Sequence, residues 1–247
     1  MAYREFSYYY DYFNYSADYD VLFERITYFI DKYGTSGEIL CDLGCGTGEL
    51  RMRFDEAGFD VIAVDNSEEM LDVFHDKLDE DPHDDILVLK QDITRLDMYG
   101  TVDVFTCTFD TVNHLEGMSS AVDLFRGVSL FMHPEGLFVF DMNTAYKHEN
   151  VLADNTFDFD DEEAECLWRN RLETDNRRTL ITIEITDKVS HENYIESFYE
   201  YYYTMDEIRQ MLGRAGLRIL EVRDGETFGE VSESSERYIF AVKKEKD

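Results

Sequence analysis

Glu38-Ile-Leu-Cys-Asp-Leu-Gly-Cys-Gly-Thr-Gly-Glu-Leu50 is the stretch of sequence that decides the fold. A short apolar run, 39–43, opens into a loop with glycine at every second position, and a helical pattern of apolar residues follows. The pattern predicts a buried parallel strand that turns tightly into a helix. In α/β proteins this turn is the usual place for a ligand to meet the sheet.

Two glycine patterns compete for this loop. The dinucleotide-binding fingerprint is Gly-x-Gly-x-x-Gly, and here the position of its third glycine holds Glu49. What stands instead is Asp-x-Gly-x-Gly-x-Gly, beginning at Asp42. This pattern resembles motif I of the class I S-adenosylmethionine (SAM)-dependent methyltransferases. SAM carries a cationic amino group and a sulfonium, which suit a nearby acid, and glycines let the backbone approach the ligand closely.

The resemblance implies further cofactor contacts after the loop. A second predicted strand, 61–64, ends at Asp65, near where nucleotide-binding folds place the acid that accepts from the ribose hydroxyls; the alternative is an exposed loop acid. Asp92, with the backbone of Ile93, matches the position beside the adenine, and Met70 matches a residue that lies on the ring, although core packing explains Met70 equally well. The expected cofactor-binding residues are Tyr10, Asp42, Gly44, Cys45, Gly46, Gly48, Asp65, Asn66, Met70, Asp92, Ile93 and Phe109.

The tyrosine-rich N-terminal stretch, 1–20, has two interpretations. Phe6-Ser-Tyr-Tyr-Tyr10-Asp11 resembles the Phe-Ala-x-x-Tyr-Asp opening of many small-molecule methyltransferases. In those relatives this segment folds over the cofactor and a tyrosine, matched here by Tyr10, closes the donor site. The alternative is an arm whose aromatic side chains only cover the core.

Candidate catalytic residues follow the fourth predicted strand, 102–108. The segment beyond the carboxyl end of this strand lines the ligand crevice of an open α/β sheet, and it offers Asp110, Asn113 and His114. The unperturbed pKa of histidine lies close to neutral, so His114 is a candidate general base. Asp110 either steers a cationic amine or caps the next helix. A purely structural role is the alternative for His114.

The whole chain predicts an α/β fold, a doubly wound seven-stranded sheet of the Rossmann-like methyltransferase type. Strands and helices alternate as far as 143, and a capping box at Thr204 begins a last helix before two closing strands. Between them, 144–203 contains an acidic loop, 158–165, and strands of alternating polarity. We expect a core of 1–143 and 204–247, with 144–203 as an antiparallel insertion in the same domain. In the resembled enzymes an insertion at this place forms a lid over the acceptor pocket, and Trp168 would suit an aromatic wall of such a pocket; the alternative is a packed β-cap or a dimer surface.

Charge and cysteine content narrow the function. With 23 Lys and Arg against 55 Asp and Glu, the net charge is −32, which disfavours nucleic acid as a partner, although a local patch of Arg169, Arg171, Arg177 and Arg178 stands out. The acidity fits a solvated surface or the attraction of an amine substrate. The four cysteines form no Cys-x-x-Cys pair, so we expect neither metal nor disulfide. No apolar run is long enough for a membrane span and the N-terminus is not a signal peptide, which favours the cytoplasm.

The sequence therefore predicts transfer of a methyl group from SAM to a nitrogen, oxygen or carbon nucleophile of a small molecule, by a monomer or by a homodimer formed through the lid. Three alternatives are a nicotinamide oxidoreductase, a SAM-binding protein without methyl transfer, and an RNA methyltransferase. The broken third glycine argues against the first and the net charge against the last.

Overall fold

The computed structural model describes residues 6–13, 18–34, 36–80, 86–160 and 164–245. Its strands are, in chain order, β1 (Ile39–Leu43), β2 (Asp60–Asp65), β3 (Leu87–Lys90), β4 (Val102–Cys107), β5 (Met132–Asn143), β6 (Thr156–Asp160), β7 (Ala164–Glu173), β8 (Arg178–Asp187), β9 (Asn193–Tyr201), β10 (Leu217–Asp224) and β11 (Arg237–Lys244). Its α-helices are α1 (Phe6–Phe13), α2 (Tyr19–Tyr33), α3 (Glu49–Glu56), α4 (Glu68–Glu80), α5 (Gly117–Phe131) and α6 (Met205–Arg214). A 3-10 turn at Thr111–His114 and a π-helical turn at Lys147–Leu152 follow β4 and β5.

Seven strands form the main sheet in the order β3-β2-β1-β4-β5-β11-β10. The first five of these run parallel, and β11 lies antiparallel between β5 and β10. This arrangement confirms the predicted doubly wound α/β fold with its antiparallel closing strand. The direction of winding reverses between β1 and β4, so the carboxyl ends of these two strands open the crevice in which ligands of such sheets bind.

Apolar side chains cover both faces of the main sheet. On one face α2 and α3 pack against β1, where Ile26, Phe29 and Phe54 are fully buried. On the other face α5 and α6 cover a row of stacked phenylalanine rings, Phe138, Phe140 and Phe240. Each buried large side chain contributes roughly 1.5–3 kcal/mol, so burial rather than helix propensity fixes these helices on the sheet.

A second, antiparallel sheet of order β6-β7-β8-β9 is inserted between β5 and α6. Along β8, Ile181, Ile183 and Ile185 are buried and the intervening residues are half-buried, which confirms the predicted alternation. The N-terminal helix α1 covers this apolar face, because Phe6 packs into the same cluster as the three isoleucines. The second sheet and α1 together therefore stand beside the carboxyl ends of the main strands.

The predicted acidic loop over 158–165 is wrong at both ends. Asp158 and Asp160 belong to β6, where they pair with Leu167 and Glu165 of β7. Strand β6 is the edge of its sheet, so acidic side chains stay exposed there while the backbone pairs, and tertiary pairing outweighs their low strand propensity. Residues 161–163 of this loop lie outside the described part of the chain, as do 1–5 and 14–17 of the tyrosine-rich stretch.

Candidate active site

The loop between β1 and α3 adopts a conformation that requires its glycines. Gly44, Gly46 and Gly48 all have positive φ, at 75°, 53° and 103°, a region that L side chains rarely occupy. A Cβ at Gly48 would also lie 2.2 Å from the Phe74 ring, and one at Gly44 would lie 2.4 Å from the Thr111 side chain. A Cβ at Gly46 would meet no protein atom within 4 Å. The loop is thus a cradle whose middle glycine opens onto empty space.

The carboxylate of Asp65 ties this loop to the end of β2. Its Oδ2 accepts a hydrogen bond from the Gly46 N–H at 2.8 Å, and its Oδ1 accepts one from the Ser67 N–H at 2.9 Å. Burial raises the pKa of Asp65, and hydrogen bonds from the backbone N–H groups of Ser67, Gly46 and Asn66 partly offset the increase. Each oxygen retains acceptor capacity for a further donor.

A first cavity of about 270 Å³ lies above the loop. All twelve residues expected to bind the cofactor line it, and His114 lines it as well; the twelve are Tyr10, Asp42, Gly44, Cys45, Gly46, Gly48, Asp65, Asn66, Met70, Asp92, Ile93 and Phe109. Several wall residues were not predicted from the sequence, among them Tyr19, Thr47, Glu49, Arg51, Ser67 and Thr108. Most of them neighbour residues that were named, so adjacency was the available signal.

Asp42 lines the first cavity, yet both of its oxygens are engaged by the protein. Oδ1 accepts from the Thr106 hydroxyl at 2.6 Å, and Oδ2 forms a buried ion pair with Arg51 Nη2 at 3.3 Å. Arg51 also donates to the Cys45 carbonyl and stacks on Phe74. Asp42 therefore stabilises the loop through Arg51 and is not available to bind a ligand through an unengaged oxygen. The signal for Arg51 was its place three residues before Phe54, on the apolar face of α3.

The turn after β4 is strained and clamped from the neighbouring strand. Phe109 and Asp110 are consecutive non-glycine residues with positive φ, 53° and 52°. Their N–H groups donate to the two carboxylate oxygens of Asp141, at the end of β5, at 3.1 and 2.7 Å. Such backbone persists only where its surroundings enforce it, and it is concentrated at functional sites.

A second cavity of about 220 Å³ lies between this turn, α1 and the second sheet. Tyr10 and Phe109 line both cavities and so stand between them. The other walls of the second cavity are Phe6, Asp110, Asn143, Lys147, Leu152, Phe159, Cys166, Trp168, Glu200 and Arg237. The expected Trp168 is among them, and the site combines aromatic surface with charged groups of both signs.

Asp110, His114 and Glu200 meet where the two cavities adjoin. One ligand-type atom from each lies within 4.8 Å of the others. His114 Nε2 is 3.7 Å from Asp110 Oδ2, and Arg237 Nη2 is 2.7 Å from Asp110 Oδ1. The sequence pointed to Asp110 and His114 but missed Glu200, a buried acid on β9. Its signal was the strand alternation, which places Glu200 on the same face as Phe198.

The pKa values of these three groups are displaced from their usual range. Burial opposes ionisation of Asp110, but the Arg237 guanidinium and His114 outweigh it and hold the pKa of Asp110 low. Burial also disfavours the His114 cation, but the Asp110 hydrogen bond and the Glu200 charge raise its pKa overall. Burial and the Asp110 charge raise the pKa of Glu200 to about 7.

The four arginines of the basic patch that the sequence suggested all pair with glutamates. Arg169 pairs with Glu184, Arg171 and Arg178 pair with Glu173, and Arg177 pairs with Glu207. A phosphate backbone would have to displace these glutamates, so the patch offers no ready nucleic-acid surface.

Several known proteins are similar to this chain in sequence and in fold. The family model described as a methyltransferase domain matches residues 40–136. A predicted methyltransferase of Geobacillus sp. (strain WCH70) is 31% identical over 99% of this chain and 100% of its own. The crystal structure of a SAM-dependent methyltransferase from Clostridium acetobutylicum ATCC 824 has a TM-score of 0.89 at 26% identity, covering 98% of both chains. The sugar N-methyltransferase KedS8 from Streptoalloteichus sp ATCC 53650 shares the fold, with a TM-score of 0.74 at 16% identity over 95% of this chain and 91% of its own.

The matches to the Geobacillus and Clostridium proteins extend over almost the entire chain, and they agree with a glycine loop that departs from the dinucleotide fingerprint at Glu49. They exclude the nicotinamide alternative. The chain belongs to the class I SAM-dependent methyltransferases.

Proposed function

We propose that this enzyme methylates an amine nitrogen of a small molecule, with SAM in the first cavity and the acceptor in the second. The observation that carries the proposal is the Asp110, His114 and Glu200 triad at the junction of the two cavities. Two acids and an imidazole are the acceptors that an amine or ammonium group requires.

The size of the triad suits a nitrogen atom. Three atoms that are at most 4.8 Å apart all lie within 4.8/√3, about 2.8 Å, of one common point. This is the usual donor–acceptor distance of an N–H hydrogen bond. An acceptor nitrogen at that point would contact all three groups, beside Tyr10 and Phe109, the two residues that face both cavities.

The residues of the first cavity fit SAM. The open space above Gly46 accommodates a ligand that approaches the backbone, and Asp65 has acceptor capacity for ribose hydroxyls. We assign Asp92 and Ile93 to the adenine edge, Met70 to its face and Asn66 to the ribose side, with Tyr10 closing the site. We also propose that 144–203 acts as a lid on a core of 1–143 and 204–247. When bound, SAM supplies an activated methyl group on its sulfonium.

The protein's own contribution is alignment, exclusion of water and removal of one proton. Asp110, kept ionised by Arg237, orients the acceptor nitrogen. Glu200, with its pKa raised to about 7, accepts the proton that the nitrogen releases. His114, the base expected from the sequence, has its Nε2 3.7 Å from Asp110 Oδ2. We assign it to orienting the nitrogen together with Asp110 and retain it as the competing base.

Two further observations favour an amine acceptor. KedS8, which shares the fold, is by name a sugar N-methyltransferase. The chain's net charge of −32 attracts cationic acceptors and repels phosphate polymers. An oxygen nucleophile would instead need a stronger base than a carboxylate whose pKa is about 7.

The test is release of S-adenosylhomocysteine from SAM in the presence of paired acceptors that differ only in amine against hydroxyl. We expect turnover with amines and none with the matched alcohols, and we expect Asp110→Asn to reduce it strongly. Turnover with the alcohols alone would contradict the proposal. SAM binding without turnover on any acceptor would favour a SAM-binding protein, and turnover on RNA would restore the RNA alternative.

A divalent metal at the same triad is the second candidate, because carboxylate and imidazole groups also ligate metals. Zn²⁺ and Mg²⁺ bind such ligands at about 2.0–2.2 Å, so the triad would have to contract, and the Arg237 cation already lies 2.7 Å from Asp110 Oδ1. We therefore expect EDTA to leave the methylation rate unchanged. Loss of activity that Mn²⁺ restores would establish the metal instead.

The cellular location and the assembly state stay predictions. No helix in the described part of the chain has the length and hydropathy needed to cross a bilayer. We propose a cytoplasmic enzyme, because SAM-dependent acceptor chemistry of this type needs the cellular SAM pool, and a monomer or lid-mediated homodimer. Cell fractionation and sedimentation of the purified chain test the two statements separately.

A further inference from the structure

Lys147 is a cation that lines the second cavity and has no ion-pair partner among the residues that the structure describes. Its ammonium donates to Asn143 Oδ1 at 3.0 Å, and no carboxylate oxygen of the described residues lies within 4.0 Å of it. The other basic side chains that line the two cavities are paired, Arg51 with Asp42 and Arg237 with Asp110. In a chain with 55 acidic and 23 basic residues, a lysine that stays unpaired in a cavity is unexpected.

Hydrogen bonds of the backbone hold the Cα of Lys147 in place. Lys147 begins the π-helical turn Lys147–Leu152, and its N–H donates to Thr144 Oγ1 at 3.1 Å. Thr144 is buried and its hydroxyl donates to the Ser235 carbonyl at 2.7 Å. Single π-helical turns are rare and are frequent at functional sites. The ammonium therefore extends into the second cavity from an anchored position.

One amide side chain connects Lys147 to the triad. Asn143 accepts from Lys147 through Oδ1 and donates to Glu200 Oε2 through Nδ2 at 3.2 Å. Lys147, at the cationic end of the cavity, and Glu200, at the acidic end, are thus separated only by the Asn143 side chain. A ligand with a positive group at Glu200 and a negative group at Lys147 would be matched at both ends.

Charge balance leads to the same ligand. With Arg237 between Asp110 and Asp141, and Lys147 beside Glu200 and Asn143, the walls hold nearly equal positive and negative charge. Lys147 is close enough to Asp110 and Glu200 for its charge to lower their pKa values, so a plain ammonium acceptor would be repelled by Lys147 and would compete with it for these two acids. An acceptor that also carries an anion keeps the site balanced.

We infer that the acceptor is a zwitterion whose amine occupies the Asp110, His114 and Glu200 triad and whose carboxylate binds Lys147. This inference rests on the proposed amine methylation. It narrows the substrate class from amines in general to amino acids and related amines that carry a carboxylate within a few bonds of the nitrogen.

The test measures binding by calorimetry, with S-adenosylhomocysteine present, of three matched pairs: glycine and glycinamide, β-alanine and β-alaninamide, 4-aminobutanoate and 4-aminobutanamide. In the wild type we expect the best carboxylate to bind about tenfold or more tightly than its amide. Lys147→Met should abolish this preference and Lys147→Arg should retain part of it. Lys32→Met, which removes a surface lysine paired with Glu221, should leave it unchanged, and thermal unfolding confirms that each variant is folded.

The outcomes separate the two proposals. The zwitterion inference is overturned if carboxylates and amides bind equally, or if Lys147→Met still prefers the carboxylate. Either result leaves the proposed amine methylation unaffected. Absence of binding and turnover with every amine overturns both. In turnover assays on a bound pair, Lys147→Met should raise KM for the carboxylate with little change in kcat, because Lys147 lies away from the reacting nitrogen. If 2-aminoethyl phosphate binds more tightly than every carboxylate, the anion that Lys147 binds is a phosphate, and the assignment of the substrate to the amino acids is wrong.

Discussion

Asp141 accepts the backbone N–H of Asp110 at 2.7 Å, and this contact holds a proposed substrate-binding acid in a left-handed conformation. The second oxygen of Asp141 accepts from the N–H of Phe109. Through these two hydrogen bonds the end of β5 sets the direction of the turn that follows β4. The position of Asp110 in the second cavity therefore depends on a neighbouring strand as much as on its own segment.

Replacing Asp141 by Asn should destabilise the fold by about 1–3 kcal/mol, because one buried N–H loses its acceptor and Arg237 loses a charge partner. Urea unfolding measures the change. Asp123→Asn, on the surface of α5 beside Arg126, is the matched control and should shift stability little. Equal unfolding free energies for wild type and Asp141→Asn would contradict the clamp.

Asp65→Ala should weaken SAM binding by about 1–3 kcal/mol, because the ribose loses an acceptor and the Gly46 N–H loses its partner. Calorimetric titration with SAM measures this. Asp60→Ala removes an exposed acid at the other end of the same strand and should leave the affinity unchanged. An Asp65→Ala variant with the affinity of the wild type would remove the ribose assignment.

Gly48→Ala should cost about 1–3 kcal/mol of stability, since it combines a positive φ with a Cβ only 2.2 Å from Phe74. Gly213→Ala, in α6 with open space around the new Cβ, should instead be neutral or stabilise by up to about 1 kcal/mol. Thermal unfolding of both variants tests the pair. The interpretation of the loop fails if the two substitutions have the same effect.

Turnover should rise as the pH increases through about 7, because Glu200 accepts the amine proton only when it is ionised. Glu200→Gln should lower kcat/KM and remove this acid limb. His114→Ala should slow turnover more than it weakens SAM binding and should retain the limb. A limb that disappears with His114→Ala but not with Glu200→Gln would make His114 the base.

The same group should influence stability with a defined sign. The pKa of Glu200 is higher in the folded state, about 7, than the usual value near 4.3 in an unfolded chain. Folding thus favours the protonated acid, and wild-type stability should fall between about pH 4.5 and pH 7 through this group. Glu200→Gln should lack this decline. Identical stability–pH curves for the two proteins would show that Glu200 is not protonated on folding.

The sequence by itself determined the main sheet and the proposed cofactor side of the site. Strand and helix alternation and one contiguous loop from Asp42 to Gly48 carry that information, and the ends of parallel strands must meet at one edge of the sheet. All twelve expected cofactor residues consequently line one cavity. Local sequence patterns are enough to predict site residues when those residues are close together in the sequence.

Only the tertiary structure decided the acceptor side. Asp141 and Lys147 lie close together in sequence, but Glu200 and Arg237 belong to elements far from them. A sequence pattern shows which face of an element is buried and does not show which other element that face contacts. The pairing of β11 with β5 brings Arg237 to Asp141, and the second sheet carries Glu200 to Asp110 and His114. Contacts between distant parts of the chain therefore place β9, a strand for which the sequence indicated no site residue, in the wall of the proposed acceptor site.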